Sequence, residues 1–449
     1  MKTTFLLLSI FFLSTPNSFS QKAGAELLGA FKYEDFKTPE FCGTSCHKDF
    51  YQQWKQAMMS QSYTHHWDEI EYFELAVPHA EKDEKVAEVK AGCNGCHAPI
   101  SYAAGDVPPP RPEFNSRANE GVSCDVCHSI SGFKGDVPYN FNYILNPGKT
   151  KYGIRGVGNS PEHQIEKNEF LSTAEFCGTC HNEKSPYGIW VKSTHLEWKE
   201  GPYSKQGVTC QTCHMPPAEG YTAAMGNKYP DARQHLFHGA HDEGKIKGTI
   251  ELRIHPDIRE VEPGDVLKFT VALYNAKTGH KFPSGSVEDR LVWMHVEAVD
   301  ASGKVYHLKV DKKGFKGEEY TIASNELAYQ DMGIAKNIPD FKGVKRDGDI
   351  PEGNRIFRMA YFDPQGRMTI QQWNTASLGV DYRIGPRETK IENLTFNLPN
   401  NVAPGKMKVT AALYYQRLVP SVARFLNVPD DETEIIKVNE HSTFVTVLP

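Results

Sequence analysis

Apolar and polar residues alternate through much of the second half of this chain. Segments 248–255, 265–275, 290–299, 304–311, 355–362, 388–396, 406–416 and 434–447 repeat with a period of two and are bounded by Gly, Pro, Asn or Asp. That period puts successive side chains on opposite faces, the signature of half-buried strands. Eight such strands without a convincing amphipathic helix predict an all-β, immunoglobulin-like sandwich over residues 247–449. A Gly- and Lys-rich stretch between 312 and 354 is longer than an ordinary loop. It reads either as an excursion over the preceding domain or as a disordered flap. Before residue 246 the alternation fades, and the pattern predicts short helices and irregular chain. The expected class is therefore α+β and multidomain. At the N-terminus, Lys2, an apolar run over 5–13 and Ser18-Phe19-Ser20 predict a signal peptide, residues 1–20, cleaved before Gln21. The run is shorter than the ~20 residues of a membrane-spanning helix, and no later segment is apolar enough to span a bilayer.

The cysteines define the region between 21 and 246. All ten, with thirteen of the eighteen histidines, lie there. They form Cys93-Asn94-Gly95-Cys96-His97, Cys124-Asp125-Val126-Cys127-His128, Cys177-Gly178-Thr179-Cys180-His181 and Cys210-Gln211-Thr212-Cys213-His214, plus the stretched Cys42-Gly43-Thr44-Ser45-Cys46-His47. In C-x-x-C-H the two thiols form thioethers to the vinyl groups of a haem, and the adjoining imidazole is the proximal ligand of its iron. One copy reads equally well as a zinc half-site or a thiol redox pair. Five copies that use every thiol point to five covalently attached haems c. His47, His97, His128, His181 and His214 are then the proximal ligands.

An internal repeat supports the stretched copy. Thr38-Pro39-Glu40-Phe41-Cys42-Gly43-Thr44 matches Thr173-Ala174-Glu175-Phe176-Cys177-Gly178-Thr179, so the first motif is the fourth with one serine inserted. Gly121-Val122-Ser123-Cys124 likewise matches Gly207-Val208-Thr209-Cys210. Proximal histidines stand 50, 31, 53 and 33 residues apart, long and short steps alternating as stacked units would give.

These residues resemble the multihaem cytochromes of the c-552/c-554 type. The resemblance rests on His47 followed by Tyr51 and Trp54, on Cys96-His97-Ala98-Pro99, and on the run from Gly121 to His128. It continues through Glu197-Trp198, Pro202-Tyr203 and the run from Gly207 to Pro216. Gly279-His280-Lys281-Phe282-Pro283-Ser284-Gly285 is similar to a segment of the immunoglobulin-like domain appended in one branch of that family. One departure is Met59, where relatives often place histidine.

The second axial position of each haem decides between carrying electrons and binding a substrate. Candidate distal ligands are His65, His66, His79, His163, His195, His235, His241 and His280, with His238 a further histidine of the haem half. The resemblance implies a distal role for His163, fourteen residues before Cys177, and for the segment bearing His235 and His241. His195 stands where relatives often carry tyrosine. His65 and His66 are alternatives to the histidine missing at Met59, and Met59 is itself a candidate. His280 either caps its own turn or reaches a haem across the domain boundary.

The formal charge is −6, and loss of Lys2 with the signal peptide and the addition of haem propionates make it more negative. This argues against nucleic acid, which needs a basic surface. The expectation is a pentahaem electron carrier of the periplasm or cell surface, in a respiratory or redox chain, that meets redox partner proteins. The alternatives are a reductase of small nitrogen or sulfur oxyanions at one five-coordinate haem, with His195, Lys192, Arg155 and Lys199 as candidate donors, and a structural subunit of a self-assembling cytochrome complex. No C-x-x-C-K motif is present.

Overall fold

A computed structural model describes residues 24–156, 158, 160–311, 353–418, 422–423 and 426–449. The signal-peptide reading over 1–20 and most of the 312–354 stretch lie outside the described residues.

Residues 25–246 fold into short helices. The haem-motif helices Pro39–Gly43, Asn94–His97, Cys124–Cys127, Ala174–His181 and Cys210–His214 each amount to one or two turns. Isolated helices of this length are not stable in water, so their order comes from what they pack against. Pro39 occupies the first helical position, and the Thr38 hydroxyl accepts the Phe41 N–H at 3.2 Å. The helical run His66–Ile70, Glu71–Ala76, Val77–Ala80 is longer, and its middle section is π-helical.

This part also contains strands that alternation did not reveal. Three two-stranded pairs lie between motifs: β1 (Ile130–Phe133) with β2 (Tyr143–Leu145), β3 (Thr150–Gly153) with β4 (Gln164–Lys167), and β5 (Asn182–Lys184) with β6 (Trp190–Ser193); a fourth, β7 (Pro217–Tyr221) with β8 (Lys228–Arg233), follows the last motif. β3 and β4 are parallel; the others are antiparallel.

The remaining strands are β9 (Ile250–Pro256), β10 (Glu260–Val261), β11 (Val266–Asn275), β12 (Leu291–Val299), β13 (Val305–Leu308), β14 (Arg355–Ile356), β15 (Met359–Phe362), β16 (Ser377–Asp381), β17 (Thr389–Asn397), β18 (Gly405–Gln416) and β19 (Ile435–Val447). One sheet runs β17-β11-β9. The other runs β10-β19-β18-β12-β13, with β14 also paired to β12, and β15 and β16 form a separate ribbon. The inward residues of both large sheets meet in one apolar core that includes Leu252, Phe269, Val271, Met294, Val409 and Val445. The single strand expected over 355–362 is two, because the chain breaks at Phe357 and Arg358. β14 stays on the large sheet while β15 leaves for β16.

A second core joins the two parts. Trp67, Leu75, Ala76 and Val86 pack with Leu291, Trp293, Ile356 and Trp373. This explains why β12 opens with four consecutive buried residues instead of alternating: one face meets the sandwich core and the other meets the helical part.

Candidate haem sites

All ten cysteines line one continuous cavity of ≈2280 Å³, together with His47, His97, His128, His181 and His214. The thiols do not gather as a zinc or iron–sulfur centre. Among the described residues, the one cluster of three or more potential metal donors contains no cysteine. Instead the thiols are spread in pairs along helix turns, as attachment to the edges of separate macrocycles requires. The motifs adjoin one another. Cys96 lies within hydrogen-bond reach of Cys180, and Cys177 within reach of Cys210. The helix of the third motif contacts that of the first, and its Val126 packs in one apolar cluster with Cys96 and Cys180. The second and fifth motifs therefore both touch the fourth, and the third bridges the first and fourth.

Three proximal histidines face a second histidine. His47 and His163 have ring centroids 6.2 Å apart and planes 29° apart. His128 and His235 are separated by 6.4 Å and 24°, and His214 and His280 by 6.4 Å and 20°. Direct ring contact does not account for such spacing, which is too wide for stacking. Two imidazole nitrogens each ~2 Å from a shared metal, with ring centroids ~1.2 Å behind them, place the centroids ~6.4 Å apart. The three pairs have the separation that bis-histidine ligation demands, so the residues present fit haem.

Hydrogen bonds set which nitrogen faces inward. Nδ1 lies 2.6 Å from the Thr222 carbonyl in His47, 2.7 Å from that of Ser62 in His97 and 2.6 Å from that of Tyr152 in His128. On the other side, Nδ1 lies 3.1 Å from the Gln164 carbonyl in His163, 2.8 Å from that of Arg233 in His235 and 2.9 Å from that of Lys281 in His280. A carbonyl can only accept, so each Nδ1 carries the proton and each Nε2 presents a lone pair. Burial pushes His181, His214 and His235 down to about 4, with Lys192 adding to the effect at His181 and Lys245 at His214, which keeps them neutral.

His280 comes from the strand-rich part, on the loop between β11 and β12. Its carbonyl accepts from Asn275 Nδ2 at 3.2 Å and Thr278 Oγ1 at 2.7 Å. Glu197, on the helix Thr194–Glu200, holds the loop from the haem side. It accepts from Arg383 Nη1 at 2.6 Å, Ser284 Oγ at 2.7 Å, the Lys281 N–H at 3.2 Å and Ser193 Oγ at 3.2 Å. Burial works to raise the Glu197 pKa, but Arg383 and its other partners outweigh it and hold the carboxyl below its ordinary range. Sequence reasoning missed Glu197 and Arg383. Glu197 stands out in the sequence only within the Glu197-Trp198 resemblance, and nothing local marks Arg383.

The other candidates are placed differently. His65 Nε2 is 3.0 Å from Glu432 and its Nδ1 3.2 Å from Asp68. His66 and His241 lie 3.4 and 3.1 Å from Glu432. His79 Nδ1 accepts from the Trp373 indole at 3.1 Å, and His195 Nδ1 from Asn182 Nδ2 at 3.1 Å. His238 contacts Gln56 at 3.2 Å. Met59 lines the cavity, while its carbonyl accepts the Val122 N–H at 2.9 Å. Lys192 is half-buried at the cavity wall, 3.3 Å from Glu183. Arg155 is paired with Asp231 at 2.6 Å, and Lys199 is exposed. Neither His97 nor His181 has a second histidine ring facing it among the described residues.

Comparison with known proteins bears on the family of the motif-bearing part and on the fold. The family model of cytochrome c554 and c-prime matches residues 42–129, and that of the NapC/NirT cytochrome c family, N-terminal region, matches residues 161–253. A penta-heme cytochrome c552 from Thermochromatium tepidum superimposes with a TM-score of 0.60 at 20% identity, over 92% of this chain and 99% of its own. This likeness extends the shared fold across both parts. Spo0M, a sporulation control protein from Bacillus subtilis, reaches 0.19 at 11% identity over 45% of this chain and 50% of its own, too low to carry an argument. No curated protein matches the chain. The motifs, family matches and fold together make the chain a multihaem c-type cytochrome.

Proposed function

We propose that this chain is an exported pentahaem cytochrome that carries electrons between redox partner proteins, in the periplasm or at the cell surface. The observation that carries this reading is the set of three histidine pairs at haem-bracketing distance around a cavity lined by ten cysteines. Haem c supplies one-electron chemistry when bound. Cys42 and Cys46, Cys93 and Cys96, Cys124 and Cys127, Cys177 and Cys180, and Cys210 and Cys213 attach five of them. The pairs His47/His163, His128/His235 and His214/His280 close both axial positions of three, which suits electron transfer and leaves no room for substrate there. Adjacency of all five motifs gives a continuous route, with the fourth at a branch point.

A reductase is the second reading, because His97 and His181 have no facing histidine among the described residues. The second or fourth haem is then the place for a small oxyanion, with the half-buried Lys192 as a cationic neighbour. Stopped-flow mixing of the fully reduced protein with nitrite, hydroxylamine or sulfite distinguishes the two. A carrier reoxidises no faster than a bis-histidine control cytochrome; rapid, saturable reoxidation would establish the reductase.

Among the described residues no helix is long and apolar enough to cross a membrane. The boundaries at residues 20 and 246, the immunoglobulin-like assignment of the sandwich and a role in a respiratory chain belong to the same proposal.

A further inference from the structure

We propose that His65, His66 and Glu432 form a mononuclear site for a divalent first-row transition ion, separate from the haem sites and shared between the two parts of the chain. Their three donor atoms lie within 4.8 Å of one another. Glu432 Oε1 is 3.0 Å from His65 Nε2 and 3.4 Å from His66 Nε2. Donors bound tetrahedrally at ~2.0–2.2 Å stand ~3.3–3.5 Å apart, so these separations need little adjustment around an ion.

Two features point to a ligand and not merely to a hydrogen-bonded cluster. His66 Nε2 is buried and has no hydrogen-bond partner although it faces the carboxylate. The donors are also oriented from behind. Asp68 Oδ2 stands 3.2 Å from His65 Nδ1, on the side away from Glu432, which is how carboxylates fix metal-binding imidazoles. The second carboxylate oxygen, Glu432 Oε2, is held by His241 Nε2 at 3.1 Å and Arg417 Nε at 3.3 Å, leaving Oε1 for the ion. Two imidazoles and one carboxylate suit zinc, copper or iron over magnesium or calcium.

A cavity of ≈520 Å³ lies beside the three donors, lined also by Gln56, Gln61, Thr64 and His238, and gives room for a fourth ligand from solvent. His65 lines both this cavity and the haem cavity. Glu432 precedes β19, so a bound ion would tie the strand-rich part to the segment that enters the helical run at His66.

The test uses the complete holoprotein, stripped with a chelator and titrated with zinc chloride by calorimetry, with haem content followed by absorbance. One zinc per chain is expected, displaced by neither haem oxidation nor reduction. Replacing an outer partner of a metal-bound histidine typically weakens affinity 10–100-fold, so Asp68→Asn should fall in that range and His66→Ala beyond it. Both should keep wild-type haem spectra, and His238→Ala should bind zinc as the wild type does. Failure of the wild type to bind zinc saturably, or wild-type affinity in His66→Ala with intact haem spectra, would overturn the site. So would loss of binding in His238→Ala alone.

Discussion

Glu197→Ala should loosen the contact that carries His280 to the fifth haem motif. Glu197 and Arg383 have side chains only 4% and 3% exposed, so their pairing is sheltered from solvent. Removing one partner of a buried ion pair costs about 3–5 kcal/mol. Arg383 retains two 2.9 Å bonds to Asp381, which places the loss toward the lower end. The alanine also strands the Lys281 N–H and leaves the Ser284 hydroxyl with Thr194 Oγ1 alone, at 2.9 Å, and hydrogen bonds to a charged group are worth about 1.5–3 kcal/mol each. A destabilisation of about 3 kcal/mol follows. Urea unfolding of the holoprotein, followed by far-ultraviolet dichroism and by magnetic circular dichroism of the haem bands, should show the loss. The haem signal should change first, because the His280 loop frees before the sandwich core unfolds. A change below about 1 kcal/mol, or haem and dichroism transitions that still coincide with the wild type's, would refute the claim that Glu197 anchors this loop.

Other consequences are open to direct measurement. Denaturing mass spectrometry of the intact protein should show five haem additions, and four with Cys42 and Cys46 unmodified would remove the first motif. His163→Ala, His235→Ala and His280→Ala should each convert one haem from low to high spin, and an unchanged magnetic spectrum would exclude that residue as a ligand. Because the Glu197 carboxyl is held below its unfolded value of ~4.3, its stabilising contribution is present above that pH and lost as pH falls through the depressed folded value. Acid titration of Glu197→Gln should lack that component; profiles that superimpose would contradict it.

The strands of the sandwich were legible because one face of each is buried and the other wet. β9, β11 and β17 alternate almost residue by residue. β12 departs from that pattern only where the helical part covers its outer face. β5 to β8 gave no such signal, being short ribbons beside the last two haem motifs. β10 is two residues long and takes its register from a parallel neighbour at the far end of the chain. The attachment motifs could be read locally, since thioether formation fixes the cysteine spacing within one helical turn. Distal histidines carry no such local rule. The resemblance implies a distal role for His163 and His235, whereas the placing of His280 beside His214 depends on a residue 66 positions away in sequence and on an anchor, Arg383, farther still. No local pattern shows that Glu432, far along the chain, stands beside His65, His66 and His241 together.

Electron paramagnetic resonance of the fully oxidised holoprotein tests the central claim most directly. Three histidine pairs bracketing three irons should give at least three low-spin haems per chain by spin quantitation. The combined replacement of His163, His235 and His280 by alanine should reduce that number by three. Fewer than three low-spin haems in the wild type, or an undiminished number in the triple variant, would contradict the account.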